Sequence, residues 1–295
     1  MKHLHSYCAL LLAACGPLGA ITIQNTSTPG YATGNAVYTG VASIIGNYTA
    51  GGSFSCTGAL ISFTVILTAG HCVAPANSWS VTFQTPSGNT TVGVLSSQVH
   101  DGFQNRPAPN SGIQQYDIAI LRLATSAPID AAVYAITNGA PALNFSDTTG
   151  TIVDMVGYGI GGNPAGGLSS GTRRYAQNRL EGILPGQVDS PFLTSLDFSS
   201  AAEPGGNGVV GAGDSGGPMF LNNVLIGVAS ASTIPQSGGS GTYATGTYYG
   251  LHTSLYDATT RNWTNAAFGI ATPEPATYLL FGSGLAALAL FRRRR

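Results

Sequence analysis

A serine that could act as a nucleophile lies in the run Gly-Asp-Ser-Gly-Gly-Pro at residues 213–218. Glycine lets a loop adopt backbone angles that other residues avoid, and it lets a substrate approach the main chain closely. Such a loop can direct the backbone N–H groups of Gly213 and Ser215 at one point, where they would stabilise an oxyanion formed by attack of Ser215 on a carbonyl. A plain glycine-rich turn is the alternative, because 41 of the 295 residues are glycine. The chemical interpretation therefore requires a base and an orienting acid elsewhere in the chain.

The best candidate for the base is His71. It follows the apolar, β-branched stretch at residues 63–67, which predicts the second of two buried strands joined by a short turn. His71 would lie where that strand ends, beside Cys72. Two other histidines lie between the chain ends: His100 precedes an Asp-Gly turn signal, and His252 lies in a late strand rich in Tyr and Gly. Neither has a local context that would fix its ring in the same way.

The orienting acid is predicted to be Asp117, which directly precedes the apolar run Ile-Ala-Ile-Leu at residues 118–121. A carboxylate at the start of a buried strand is unfavourable unless a hydrogen-bond donor meets it. The ring N–H of a histidine would be such a donor. Asp101 and Asp130 have turn-like neighbours and are predicted to be solvated.

After export to an oxidising compartment, two cysteines in the middle of the chain could form a bridge. Cys56 and Cys72 are 16 positions apart and are predicted to form a disulfide, while the other two cysteines lie in the first 15 residues. Closing a loop of this size stabilises a fold by about 3 kcal/mol in the chain-entropy model. A metal site is not expected here, because no second cysteine pair or close histidine pair accompanies them. No cofactor is implied.

Composition predicts many short strands joined by tight turns, since only 8% of residues are charged and glycine is abundant. Between residues 21 and 271 the chain has six arginines, no lysine and eleven acidic residues, which gives a net charge of −5. This balance argues against binding to nucleic acid.

The amino terminus has the pattern of a secretory signal peptide. Lys2 precedes an apolar run at residues 7–14, and small residues follow up to Ala20, so we expect residues 1–20 to be removed on export. The sequence Leu-Ala-Ala-Cys ending at Cys15 also resembles the lipobox of bacterial lipoproteins. Lipidation of this cysteine therefore stays open as an alternative.

The carboxyl terminus combines Pro-Glu-Pro at residues 273–275, an uncharged and mostly apolar stretch at residues 276–291, and four arginines. A helix over the apolar stretch would be roughly 24 Å long, a little short for a full membrane span. This order resembles the PEP-CTERM sorting signal of Gram-negative bacteria, which is processed by an exosortase during export. A plain membrane anchor is the alternative. The resemblance implies a protein at the cell surface or outside the cell, in contact with the membrane only transiently through its tail.

Three segments resemble the signatures of trypsin-like (chymotrypsin-fold) serine proteases: Thr-Ala-Gly-His-Cys at residues 68–72, Asp-Ile-Ala-Ile-Leu at residues 117–121, and the serine run at residues 213–218. Their order in the chain, His then Asp then Ser, matches that family. The resemblance extends from about residue 36 to about residue 268 and includes Val-Gly-Tyr-Gly at residues 156–159.

The resemblance implies an all-β fold of two six-stranded antiparallel β-barrels with the active site in the cleft between them. A protease domain would occupy residues 21–271, with the first barrel over about 36–140 and the second over about 150–268. The sorting signal would follow over residues 272–295.

The resemblance also implies the chemistry, that of a secreted serine endopeptidase acting on proteins or peptides. Asp117 and His71 would activate Ser215, which would attack the peptide bond and form an acyl-enzyme. The N–H groups of Gly213 and Ser215 would form the oxyanion hole. The strand at residues 230–232, with Ser230 and Ser232, would bind the substrate backbone as an added β-strand.

The chain departs from its relatives at the primary specificity pocket. Gly211 stands where many relatives have a cysteine, so the disulfide of that pocket is missing. Val209 falls at the base of the pocket, where trypsins have an aspartate, and Ser232 and Gly250 are expected on its walls. The pocket is therefore predicted to be uncharged and to favour cleavage after apolar or small residues, not after Arg or Lys.

The sequence leaves open how the enzyme would be activated. In relatives, an aspartate at the position of Asp214 pairs with a new N-terminal amine after propeptide cleavage. No Ile-Val-Gly-Gly start exists in this chain, although cleavage after Ala20 would expose Ile21. Either that amine or donors within the fold would hold the carboxylate.

Two other functions fit parts of the sequence: a non-catalytic relative that uses the cleft for binding, and an extracellular matrix or adhesion protein with Gly/Ser/Thr-rich loops. Neither gives a reason for His71, Asp117 and Ser215 to occur together. An endopeptidase with exosortase-type sorting machinery as a partner is therefore the prediction.

Overall fold

A computed structural model describes the chain over residues 32–33, 36–103, 116–139, 143–145, 150–159, 161–163, 167–184, 192–195, 208, 210–232 and 250–269. The predicted signal peptide, the predicted sorting signal and Val209 lie outside these residues.

The first half of the chain forms a closed antiparallel barrel of six strands in the order β2-β3-β4-β7-β6-β5, in which β5 pairs with β2. It is preceded by a two-residue strand, and its core is apolar, with Ile44, Leu60 and Phe83 completely buried. The pair of buried strands predicted before His71 is present as β3 and β4. The bounds are β1 Ala32–Thr33, β2 Val41–Tyr48, β3 Ser53–Ser62, β4 Val65–Thr68, β5 Ala76–Thr85, β6 Gly88–Val99 and β7 Ala119–Leu123.

The second half forms a curled antiparallel sheet in which β8 pairs with both β13 and β11. This closes a ring of six strands, β8-β11-β12-β15-β14-β13, and β1 adds to β11. Strands β9 and β10 form a separate hairpin. The predicted fold of two six-stranded antiparallel barrels is thus confirmed. The bounds are β8 Ile152–Gly157, β9 Gly161–Asn163, β10 Gly167–Ser169, β11 Arg174–Leu184, β12 Phe192–Ser195, β13 Pro218–Leu221, β14 Val224–Ser232, β15 Gly250–Ser254 and α1 Ala258–Phe268.

Aromatic side chains hold the two barrels together. Phe220 is completely buried and stacks against Tyr38, with the two ring centroids 5.3 Å apart. Its ring also packs against that of Tyr134, with the centroids 4.6 Å apart. Tyr158 from the second half is 1% exposed and donates its hydroxyl to the carbonyl oxygen of Val41 at 3.2 Å. Rings of this size bury enough apolar surface to fix the two barrels against each other.

The last element of the described residues is helix α1, which begins after Asp257, whose side chain accepts a hydrogen bond from the Thr260 N–H at 2.7 Å. The helix ends at Gly269, whose φ of +80° is the left-handed conformation favoured by glycine. Arg122 of β7 donates to the carbonyl oxygen of Ala267 and so ties the helix to the first barrel. Among the described residues, no helix is both long and apolar enough to cross a membrane.

Candidate active site

His71 is held at the end of β4 by a short 3-10 turn, Gly70–Cys72, and by a covalent link. The predicted disulfide joins Cys72 to Cys56 on β3, with the two Cα atoms 6.2 Å apart. A Cβ at Gly70 would lie 3.0 Å from the ring of Phe103 and 3.2 Å from Oδ1 of Asp117, so a larger residue would press on both neighbours of the turn. The ring of His71 is therefore fixed in place while its side chain remains 24% exposed.

Asp117 lies completely buried just before β7 and receives two hydrogen bonds from His71. The backbone N–H of His71 donates to Oδ1 at 2.8 Å, and the ring nitrogen Nδ1 lies 2.7 Å from Oδ2. Tyr116, with a left-handed φ of +49°, turns the backbone so that the carboxylate enters the interior. This geometry places the proton of a neutral His71 on Nδ1 and leaves Nε2 free to act as a base.

The charge balance of this pair favours a basic histidine. Burial of the His71 ring lowers its pKa, but the negative charge of Asp117 and the hydrogen bond to it outweigh burial and raise the pKa above the ordinary value. A raised pKa is what a group needs to accept a proton from a hydroxyl and to be stable once protonated.

The second barrel also holds Asp117, through two side chains that sequence reasoning did not assign to it. Ser230 on β14 donates its hydroxyl to Oδ2 at 2.6 Å, and Thr253 on β15 donates to the backbone oxygen of Asp117 at 3.1 Å. The prediction that the backbone of Ser230 binds substrate stays a prediction, and its buried side chain has the additional role of contacting the acid. Only its place within the predicted substrate strand could have drawn attention to it.

The nucleophile loop lies between β12 and β13 and contains two left-handed glycines, Gly213 at φ +90° and Gly216 at φ +82°. Within the loop, the N–H groups of Asp214, Gly216 and Gly217 all donate to backbone oxygens, at 3.1, 2.7 and 2.7 Å. In the described part of the chain, no acceptor meets the N–H of Gly213 or of Ser215. The two amides predicted to form the oxyanion hole are thus both available to a substrate.

The loop packs directly on the segment that carries His71. The carbonyl oxygen of Ser215 lies 3.5 Å from the Sγ of Cys72, the neighbour of His71. A side chain at Gly216 would lie 2.1 Å from the hydroxyl of Thr68 and 2.9 Å from the N–H of Ala69. Glycine is needed here because the two barrels touch at this point. The partly exposed Ser215 is thereby brought to the same junction as His71 and Asp117.

Asp214, beside the serine, is completely buried and is bound by backbone donors of the fold. Its Oδ1 accepts the N–H of Gly159 at 3.0 Å, and its Oδ2 accepts the N–H of Gly211 at 2.9 Å. A side chain at Gly157 would lie 1.8 Å from Oδ1, so β8 and the Gly-Tyr-Gly that ends it are shaped around this carboxylate. Internal donors, one of the two alternatives left open by the sequence, are therefore present.

The other two histidines between the chain ends are buried groups with structural surroundings. His252 on β15 is completely buried, which lowers its pKa to about 3 and keeps it neutral. His100 stacks on the ring of Tyr116 at 4.4 Å, and burial lowers its pKa as well. Both rings lie in buried surroundings, unlike the partly exposed side chain of His71.

The predicted specificity residues are only partly described. Ser232 and Gly250 are paired in register at the ends of β14 and β15, and their role in the pocket stays a prediction. Val209 lies outside the described residues, and Gly211 uses its N–H to bind Asp214.

One group of side chains has the spacing of a metal site. The Sγ atoms of Cys56 and Cys72 and a ring nitrogen of His71 lie within 4.8 Å of one another. Because the disulfide consumes both thiolates, this group lacks the ligands that would hold a metal ion.

Comparison with known proteins shows that the chain is similar to enzymes of one family. The Trypsin family model matches residues 32–252, and the PEP-CTERM protein-sorting motif matches residues 271–295. Brachyurin of Leptuca pugilator is 27% identical over 194 residues, which cover 60% of this chain and 75% of that protein. Trypsin iota of Drosophila melanogaster is 29% identical over 189 residues, which cover 59% of this chain and 67% of that protein. The solved structure of HL collagenase superposes with a TM-score of 0.60 at 21% identity, covering 82% of this chain and 98% of the other, and so shares the fold.

Proposed function

Because the chain belongs to the trypsin family of serine endopeptidases, we propose that Ser215, His71 and Asp117 form its catalytic triad. The observation that carries this proposal is the pair of hydrogen bonds from His71 to the buried Asp117. Further support comes from the packing of the Ser215 loop against the segment that leads to His71. A binding protein or a matrix protein has no need of this arrangement.

Each group has one role in the reaction. His71 takes the proton of the Ser215 hydroxyl on Nε2 as the serine oxygen attacks the carbonyl carbon of the peptide bond. Asp117 keeps the ring in the correct tautomer and stabilises it when it carries two protons. The N–H groups of Gly213 and Ser215 donate hydrogen bonds to the carbonyl oxygen and so stabilise the negative charge that develops on it.

The intermediate then breaks its C–N bond, and protonated His71 gives its proton to the departing amine. This leaves the acyl group esterified to Ser215. His71 next takes a proton from water, and the resulting hydroxide attacks the ester carbonyl. Return of the proton to the serine oxygen releases the carboxylic acid and restores the enzyme.

The pocket residues Val209, Ser232 and Gly250 support specificity for uncharged side chains. With a valine at the base, the pocket lacks the carboxylate that would stabilise a lysine or arginine of the substrate. We expect cleavage after apolar or small residues. A panel of peptides that differ only at the residue before the cleaved bond tests this, and a preference for arginine would contradict it.

The two ends of the chain support action outside the cell. The PEP-CTERM motif at residues 271–295 fits export by a Gram-negative bacterium to the cell surface, with an exosortase-type enzyme as the processing partner. A signal peptide at residues 1–20 fits the same route. The substrates would then be extracellular proteins or peptides, and membrane contact would be transient through the tail. Mass spectrometry of the surface fraction should find neither terminal segment.

Labelling with a fluorophosphonate probe tests the catalytic proposal. Wild-type protein should react with the probe, and Ser215→Ala should not, because the probe bonds only to an activated serine oxygen. His71→Ala should react far more slowly. Ser80→Ala, at a partly exposed serine on β5, should react like wild type. Folded and processed protein that takes up no label would overturn the proposal and favour a binding protein.

A further inference from the structure

A threonine to which neither the triad nor the pocket assigns a role lies at the centre of the junction between the two barrels. Thr57 is on β3, next to the disulfide cysteine Cys56, and it is completely buried. A hydroxyl has one proton to donate and two lone pairs to accept with, so its partners in a buried site show what it is for.

Thr57 binds the nucleophile loop twice. Its backbone N–H donates to the carbonyl oxygen of Ser215 at 2.8 Å, and its Oγ1 donates to the carbonyl oxygen of Gly213 at 2.9 Å. These are the carbonyls of the same two residues whose N–H groups are left without an acceptor. A peptide group is planar, so holding these carbonyls fixes the Gly213–Asp214 and Ser215–Gly216 peptide planes. The two fixed planes flank the peptide that carries the N–H of Ser215, and the first of them adjoins the peptide that carries the N–H of Gly213.

The same hydroxyl also binds the second barrel. Its Oγ1 accepts the backbone N–H of Tyr158 at 3.0 Å. Tyr158 lies in the Gly-Tyr-Gly segment whose last residue, Gly159, donates to Asp214 of the loop. The carbonyl oxygen of Thr57 is in turn held by the hydroxyl of Thr68 at 2.8 Å. One hydroxyl therefore joins β3, the nucleophile loop and the end of β8.

The loop needs such a tie because it is built from glycine. Gly213 has a φ of +90°, and a glycine moves between backbone conformations with little energetic cost. An oxyanion hole works only when its donors are already directed at the position of the developing charge. A contact from outside the loop must therefore supply the rigidity that the sequence of the loop lacks.

We propose that Thr57 is a positioning residue for the oxyanion hole. Its hydroxyl ties Gly213 to β3 of the first barrel and to Tyr158 of the second, and its N–H ties Ser215 to β3, so that both amides face the substrate. This inference rests on the proposed function, since it assumes that Gly213 and Ser215 bind the oxyanion. It predicts that the hydroxyl acts on the transition state and not on substrate binding.

The test compares Thr57→Val with Thr57→Ser. Valine keeps the shape and the backbone N–H but removes the hydroxyl, while serine keeps the hydroxyl. Thr264→Val is the matched control, because Thr264 is equally buried but donates only within helix α1. Rates are measured on a peptide substrate, per active site counted with the fluorophosphonate probe, together with the Ki of a peptide aldehyde that mimics the tetrahedral intermediate.

Thr57→Val should lower kcat by about 10- to 100-fold, with KM nearly unchanged, because one donor of the hole is no longer held in place. The Ki of the aldehyde should rise by a similar factor. Thr57→Ser should restore kcat to within about 3-fold of wild type, and Thr264→Val should leave kcat unchanged.

Several results would overturn the inference. One is a Thr57→Val protein with wild-type kcat per active site, and another is a Thr57→Ser protein as slow as the valine variant, which would show that shape and not the hydroxyl matters. If the valine variant does not fold, Thr57→Ala gives the same comparison with less steric demand. Wild-type protein that takes up no label would instead remove the proposed function, and this inference with it.

Discussion

Among the contacts of the nucleophile loop, those made by the Asp214 carboxylate should matter most for the unfolding free energy and for the labelling rate. Both of its oxygens accept backbone N–H groups, from Gly159 at 3.0 Å and Gly211 at 2.9 Å. In Asp214→Asn, one of these oxygens becomes an NH2 group of the same size. One backbone N–H would then face another donor in a site from which water is excluded.

The structure sets the size of this effect. A hydrogen bond to a charged group contributes about 1.5–3 kcal/mol to stability, and a buried donor left unsatisfied costs about 1–3 kcal/mol. The side chain cannot move away to relieve the conflict, because Gly157 has no space beside Oδ1 even for a methyl group. We therefore expect the free energy of unfolding of Asp214→Asn to fall by about 3 kcal/mol. The labelling rate per folded molecule should fall at least about 10-fold, since Gly211 to Gly213 lose their anchor.

Asp154→Asn is the control. Asp154 is a partly buried carboxylate on β8 that accepts the Tyr38 hydroxyl at 2.7 Å and the Gln177 amide at 3.0 Å. An asparagine can satisfy both partners, because a tyrosine oxygen also accepts a hydrogen bond. Its unfolding free energy should therefore fall by less than about 1 kcal/mol, with the labelling rate unchanged.

Urea unfolding and fluorophosphonate labelling of the same preparations measure both quantities. An Asp214→Asn protein that labels at the wild-type rate, with unfolding free energy within about 0.5 kcal/mol of wild type, would refute the reasoning. It would mean that the backbone donors do not hold the loop.

Four further outcomes follow from the same contacts. Activity requires neutral His71, so kcat/KM should fall as the pH drops through the pKa that Asp117 keeps above the ordinary histidine value; a profile with its acid limb below that value would contradict the pair. The pKa of His71 is higher in the folded protein than in the unfolded chain. The stability that protonated His71 contributes should therefore be present below its unfolded pKa and lost as the pH rises through its folded pKa. Urea unfolding at several pH values measures this. Gly216→Ala should lower the unfolding free energy by about 3 kcal/mol, because its φ is +82° and a Cβ would lie 2.3 Å from a carbonyl oxygen of β3; unchanged stability would show that the barrels can separate there at little cost. Replacing Cys56 and Cys72 by serine should lower it by about 3 kcal/mol and should slow labelling, since the turn that carries the histidine is then tied less firmly.

The sequence was informative where function depends on local pattern. The apolar run before His71 predicted β4, the run after Asp117 predicted β7, and the glycines around Ser215 predicted an irregular loop; the structure has all three. These features are readable because strand period, turn residues and apolar runs act over a few residues.

The residues that support the site could not be predicted from local sequence pattern. A threonine or serine inside a β-strand is ordinary, and nothing near Thr57 or Ser230 indicates a special partner. Thr57 and Gly213 are 156 positions apart, and Ser230 and Asp117 are 113 apart. Such contacts depend on how two barrels dock, which in turn depends on the summed packing of many side chains and not on any short motif.

The supporting contacts cross the junction in both directions. The second barrel holds the acid of the first, because Ser230 and Thr253 both donate to Asp117. The first barrel holds the loop of the second, because Thr57 binds Gly213 and Ser215. Apolar packing alone tolerates small sliding of one barrel over the other, whereas hydrogen bonds of 2.6–3.1 Å are directional and do not. Since a misplacement of about 1 Å can slow a reaction about 100-fold, this exchange of buried polar contacts is what converts a stable interface between two barrels into a site accurate enough for catalysis.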